Sequence, residues 1–96
     1  MHARVTRFEL KPETAEQANA RVEQTRQEVM KIPGIKGYIN LRSYDGTQGL
    51  VITFYESSEN AYTATQPALQ QWVKFTDFFS SVPESTSYKV LVREFK

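Results

Sequence analysis

The chain contains no cysteine and only one histidine, His2. Without thiols there are no disulfides, thiolate zinc sites, iron–sulfur clusters or cysteine nucleophile, and the composition fits a reducing compartment. A single imidazole excludes any site that needs two. Neither charge sign is in excess: 12 Lys and Arg stand against 11 Asp and Glu, a formal +1 with the signs interspersed, so the footprint of a phosphate-backbone binder is missing. No apolar run approaches the roughly eighteen residues of a membrane span. The opening residues, MHARVTRFEL, lack the apolar stretch of a signal peptide. There is no nucleophile elbow, no phosphate-cradling glycine loop, and no EF-hand or zinc spacing. A soluble, cytoplasmic protein is expected, with no nucleic acid, membrane or metal among its partners.

Glycine and proline are also scarce, at four each, and 40% of residues are hydrophobic, so the chain is expected to fold rather than to remain a linker. At 96 residues it is long enough for one core and too short for two, which makes 1–96 a single domain. Residues 2–10 alternate β-branched and aromatic with charged side chains until Pro12, and predict a first strand. Thr14 with Gln17 three residues on has the form of a capping box. Ala15, Ala18, Val22, Thr25, Val29 and Ile32 then recur at helical steps until Pro33-Gly34 stops the helix. Residues 35–43 and 49–56 flank Asp45-Gly46 and predict a hairpin. Ser57 and Ser58 offer N-caps to a second helix, which Pro67 divides, and whose later part carries Leu69, Trp72, Phe75 and Phe79 as an apolar stripe. After Pro83, residues 87–95 alternate as a last strand.

The order β-α-β-β-α-β predicts an α+β ferredoxin-like sandwich, with both helices on one face of a four-stranded antiparallel sheet. Neither strand phase suits water. One phase presents Ile39, Leu41, Leu50, Ile52, Phe54, Tyr88, Val90 and Val92; the other presents Phe8, Tyr38, Val51 and Tyr55 among Arg4, Thr6, Asn40, Arg42 and Thr53. A sheet apolar on both faces in so small a domain predicts a homodimer with the sheets facing each other.

Several segments, Ala3-Arg-Val-Thr-Arg-Phe8, Ile32-Pro-Gly-Ile-Lys-Gly37, Asp45-Gly46 and Ile52-Thr-Phe-Tyr-Glu-Ser-Ser-Glu-Asn-Ala-Tyr62, resemble those of the antibiotic biosynthesis monooxygenase (ABM) domain family of dimeric α+β barrels. The resemblance covers nearly the whole chain and implies a barrel formed by two subunits. Polyketide-oxidising members carry an Asn and a Trp on the third strand; in this chain the matching positions are Val51 and Tyr55, so the Asn is missing and the Trp has become Tyr. Their second-strand Tyr falls at Asn40, an early Tyr of the second helix at Tyr62, and a helical Arg has no counterpart. Haem-degrading members carry a strand-one Asn, which falls at Thr6, and an axial His where this chain reads Gln71-Trp72-Val73-Lys74. The missing His argues against haem.

The resemblance turns the more polar phase toward the helices. It implies a pocket lined by Thr6, Phe8, Tyr38, Asn40, Arg42, Thr53 and Tyr55 from the sheet and by Tyr62, Trp72 and Phe75 from above. The implied activity is cofactor-independent monooxygenation of an aromatic, hydroquinone-like or polyketide-type substrate, with Tyr62, Tyr55 and Asn40 as catalytic candidates that orient a phenol or take its proton. Each candidate also has a plainer role: buried tyrosines pack and hydrogen-bond, Trp72 belongs to an apolar stripe, and Arg42 and Arg93 suit ion pairs or solvated strand ends. The alternative function is a non-catalytic dimeric barrel that binds a small apolar or aromatic molecule, and other chemistries such as isomerisation or decarboxylation remain open on one fold.

Overall fold

The computed structural model describes residues 1–96 throughout. Its strands are β1 (His2–Glu9), β2 (Ile35–Arg42), β3 (Gln48–Tyr55) and β4 (Glu84–Lys89), and its helices are α1 (Ala15–Met30), α2 (Ser58–Thr63) and α3 (Thr65–Trp72). The strands form one antiparallel sheet in the order β2-β3-β1-β4, with all three helices packed toward one face. The expected α+β ferredoxin-like sandwich is the architecture found.

Local chemistry accounts for most boundaries and corrects three of them. The Thr14 side chain does not cap α1. A 3-10 turn at Pro12–Thr14 comes first, and the Thr14 hydroxyl donates to the Lys11 carbonyl at 3.1 Å. Pro12, with its φ already fixed, favours that tight turn. At the other end of α1, Gly34 takes a φ of +85°, the left-handed conformation that lets the chain reverse into β2. Ser57 caps α2, its hydroxyl accepting from the Asn60 backbone N–H at 3.2 Å. The second helix breaks at Ala64, and Pro67 sits in the first turn of α3, where its missing N–H leaves no intrahelical bond unmade. Beyond Trp72 the chain tightens into a 3-10 turn, Val73–Phe78, so that Phe78 becomes buried while Leu69 of the expected stripe is half-exposed.

The last strand runs from Glu84 to Lys89, not from 87 to 95. Its register explains this: Lys89 pairs with His2, and the Val90 N–H donates to Met1 at 3.0 Å, so the partner strand is used up. Val90 and Val92, expected to alternate within the sheet, lie outside it.

Two buried clusters bracket the helix-covered face. Leu10, Ala15, Ala18 and Phe78 form one; Ile32, Tyr55, Ala61 and Ala64 form the other. Between them α1 and α3 place Val22, Thr25 and Ala68, small side chains that leave a gap under the helices. The opposite face carries Val5, Ile39, Leu41, Leu50 and Ile52 with no helix over it, and Arg93 of the tail reaches only the Phe54 ring, at 5.4 Å.

Candidate functional site

The space between the two clusters is a partly open apolar cavity of about 70 Å³. Its floor is the helix-facing phase of β1, β2 and β3, and its roof is α1, α3 and the 3-10 turn. Of the side chains expected there, Phe8, Tyr38, Asn40, Arg42, Thr53, Trp72 and Phe75 all line it. The more polar strand phase therefore faces the helices.

Three expected lining residues do not reach the cavity. Tyr62 is 82% exposed, because Ala61 takes the inward position of α2 and the next residue lies about 100° further round the helix. Tyr55, the last residue of β3, is fully buried beneath Ile32, Ala61 and Ala64, and its hydroxyl has no hydrogen-bond partner. Thr6 is drawn toward β4, where its hydroxyl pairs with that of Ser85 at 2.8 Å.

The polar end of the cavity is organised around Arg42. Its Nε donates to the Asn19 side-chain oxygen. Its Nη1 donates to the Asn40 side-chain oxygen at 2.8 Å and to the Leu41 carbonyl at 2.7 Å. Asn19 is itself held, donating from Nδ2 to the Gly46 carbonyl at 3.1 Å. All of these acceptors are neutral. The ion pairs of the protein, Arg26–Glu23, Lys31–Glu28 and Lys36–Glu56, lie at the surface and none includes Arg42. Arg42 is thus not ion-paired, one of the two plainer roles expected of it; it ends β2 half-buried, with part of its side chain still at the surface. Burial pulls its pKa down from the ordinary guanidinium value, the mark of a cation short of water and of a counter-charge. Burial likewise raises the Tyr38 hydroxyl above its ordinary value, with Arg26 opposing and Glu23 adding to the rise, which keeps it a neutral donor.

Beside this cluster the Phe8 ring, under the Arg42 guanidinium, meets Trp72 edge-on with centroids 5.3 Å apart, and Phe79 at 5.6 Å. Asn19, Gln71 and Phe79 belong to the site although the sequence reading did not assign them to it. Asn19 carried a faint signal, since an Asn inside a helix forgoes propensity and invites a search for the side chain's partner.

No family model and no curated protein sequence matches the chain. Solved structures do. A protein of Nitrosomonas europaea described as an antibiotic biosynthesis monooxygenase superposes with a TM-score of 0.81 at 16% identity, covering 96% of this chain and 100% of that one. The chain has the ABM fold. The ActVA-Orf6 monooxygenase of Streptomyces coelicolor, in complex with nanaomycin D, matches at 0.75 and 16% identity over 99% of this chain and 91% of that one. A point mutant of MhuD with two manganese protoporphyrin IX molecules per active site matches at 0.77 and 18% identity over the full length of both.

A porphyrin does not fit the ABM-fold cavity of this chain. The space is too small, no imidazole faces it, and the lone His2 sits on β1 with a buried, unpartnered Nε2 outside the lining. No group of three or more His, Cys, Asp or Glu side chains is placed to hold a metal ion. No helix is long and apolar enough to cross a membrane.

Proposed function

We propose that the chain is a cofactor-independent monooxygenase that oxidises an aromatic, hydroquinone-like or polyketide-type substrate with molecular oxygen, working as a homodimer in the cytoplasm. The observation that carries the reading is Arg42, a half-buried cation with no carboxylate partner at the polar end of an apolar cavity. Oxygenation without a cofactor needs a substrate anion that can give an electron to oxygen, and a fixed cation in a water-poor site stabilises such an anion where it forms. A ring oxygen beside Arg42 would also meet the Asn40 amide, which Arg42 orients. The stoichiometry closes without a reductant: a substrate methylene and one oxygen molecule give a carbonyl and water, the substrate carbon supplying all four electrons that reduce the oxygen and both protons of the water. Asn40 keeps the role expected of it. Tyr55 and Tyr62 take none, being off the cavity wall. The similarity to a monooxygenase that binds nanaomycin D supports an aromatic ligand in the same region of the fold.

The test is oxygen uptake by metal-stripped protein over a panel of hydroquinones, naphthols and anthrones, with heat-denatured protein as background. Uptake with label from oxygen gas in the product is the expected result; no uptake across the panel would overturn it.

A second reading, the non-catalytic barrel that binds a small apolar or aromatic molecule, is favoured by the cavity's size. Its 70 Å³ falls well short of the roughly 300–1,000 Å³ of ordinary ligand sites. A ligand that raises the melting temperature without consuming oxygen would favour this reading.

A further inference from the structure

Beside this cavity lies a wider groove of about 520 Å³, running between β4 and the α3 end of the molecule. The Thr6 and Ser85 hydroxyls lie at its floor, and Leu69, Val73 and Val82 form its apolar sides. Exactly two residues line both spaces, Trp72 and Phe79. Their rings stand 5.9 Å apart, inclined at 41°, and form the partition between cavity and groove.

The two halves of the partition are held differently. Phe79 is pinned through its backbone: it bridges to Leu10, and on either side the Lys11 N–H donates to Phe78 at 2.8 Å and the Ser80 N–H to Glu9 at 2.9 Å. Trp72 is the last residue of α3, at the point where α-helical winding gives way to 3-10, a place where helices commonly hinge. Its indole rests on ring contacts with Phe8 and Phe79. A change of rotamer at Trp72 would open the cavity into the groove without disturbing the sheet or the Arg42 network.

We propose that Trp72 sets the ring size of the ligand: the cavity takes one aromatic ring at the Arg42 end, and a ligand with further fused rings must displace the Trp72 indole to extend into the groove over Thr6 and Ser85. This rests on the reading of the cavity as an aromatic-binding site but not on oxygen chemistry. A small residue at 72 joins the two spaces permanently, so the penalty for extra rings disappears; because the indole also forms part of the single-ring wall, the quantity to read is the ratio of affinities and not single-ring affinity alone.

The experiment compares wild type with Trp72→Ala and Trp72→Phe for binding of 4-nitrophenol, 2-naphthol and 9-phenanthrol, which present one, two and three rings with one ionisable hydroxyl. For Trp72→Ala, affinity for 9-phenanthrol is expected to rise about tenfold or more relative to that for 4-nitrophenol, the worth of burying part of an extra ring. Trp72→Phe, which keeps an aromatic partition and guards against loss of folding in the alanine variant, is expected to shift the ratio in the same direction by less. Trp72 is the only tryptophan, so in wild type its fluorescence should respond more strongly to 9-phenanthrol than to 4-nitrophenol. Ratios unchanged in both variants would overturn the proposal. A ring-size shift without oxygen uptake would leave it standing and remove the oxygenase reading, and uptake without a ring-size shift would do the reverse.

Discussion

The Arg42 guanidinium lies over the Phe8 ring, 4.8 Å from its centroid, although the two residues belong to strands that do not pair with each other. Between them runs β3, where Gly49 is the register partner of both. The absence of a side chain at 49 lets the ring and the cation lean together over the strand, and this contact closes one end of the cavity. A Cβ at that position would overlap both groups.

Gly49→Ala is therefore expected to destabilise the fold by about 1–3 kcal/mol, the usual range for forcing extra volume into a packed place. For a chain of this length each kcal/mol corresponds to a fall of roughly 4–8 °C in melting temperature, so thermal unfolding followed by circular dichroism would register it. An unchanged melting temperature would mean that the ring and the guanidinium move aside at no cost.

Arg42→Met keeps an unbranched apolar side chain beside Phe8 and removes the guanidinium and its charge. Hydrogen bonds to charged groups contribute about 1.5–3 kcal/mol, so affinity for a phenolate should fall roughly ten- to a hundredfold. In wild type the affinity for 4-nitrophenol should increase as pH rises through the ligand's own pKa; in the variant that dependence should flatten. Tyr62→Phe, altering an exposed side chain, should leave affinity within about twofold. A variant at 42 that binds phenolate as well as wild type would take the cation out of the site.

Much of this was legible in the sequence because period and turn chemistry agreed. The spacing from Ala15 to Ile32, the Pro33-Gly34 stop, the Asp45-Gly46 turn and the Ser57 cap each depend on neighbours in the chain. What was missed depends on partners distant in sequence. β4 ends at Lys89 because β1 has no residue left to pair, which the alternation of 90–95 does not reveal. Tyr62 points outward because Ala61 was the smaller side chain to place against Ile32 and Tyr55. Arg42 was expected in the pocket, with an ion pair or a solvated strand end as its plainer role, and the hydrogen bond that Asn19 of α1 accepts from it is a partner distant in sequence that the strand pattern does not reveal.

Asp45 holds the β2–β3 turn as an acceptor for the Ser43 hydroxyl at 2.7 Å and for the Thr47 N–H and hydroxyl at 3.0 and 2.7 Å. The Ser43 hydroxyl first, then the two Thr47 donors, bring its pKa from 3.8 down to about 2. A carboxyl more acidic in the folded than in the unfolded chain adds stability above the unfolded value, and loses it as pH falls from about 3.8 toward 2. Asp45→Ala should thus melt below wild type at neutral pH, and the gap should close as pH approaches 2. A gap of constant size would show that the charge at 45 is not what holds the turn.

The uncovered sheet face is the strongest pointer to a second subunit. Only twelve residues are buried in the single chain, while Val5, Ile52 and Ile39 stand in one register line across the middle of a face with no helix over it. So small a core leaves the lone chain marginal, and pairing two such faces would bury the apolar surface that α1, α2 and α3 do not reach. We expect wild type to sediment at about twice its 11.1 kDa at micromolar concentration. Ile52→Glu places a carboxylate at the centre of the face; at about 4 kcal/mol for an unpaired buried charge, it should weaken association roughly a thousandfold and give the single-chain mass. The helix-covered face is untouched by that change, so the variant should retain the circular dichroism of the fold. Wild type running at 11.1 kDa would remove the homodimer from the proposed function.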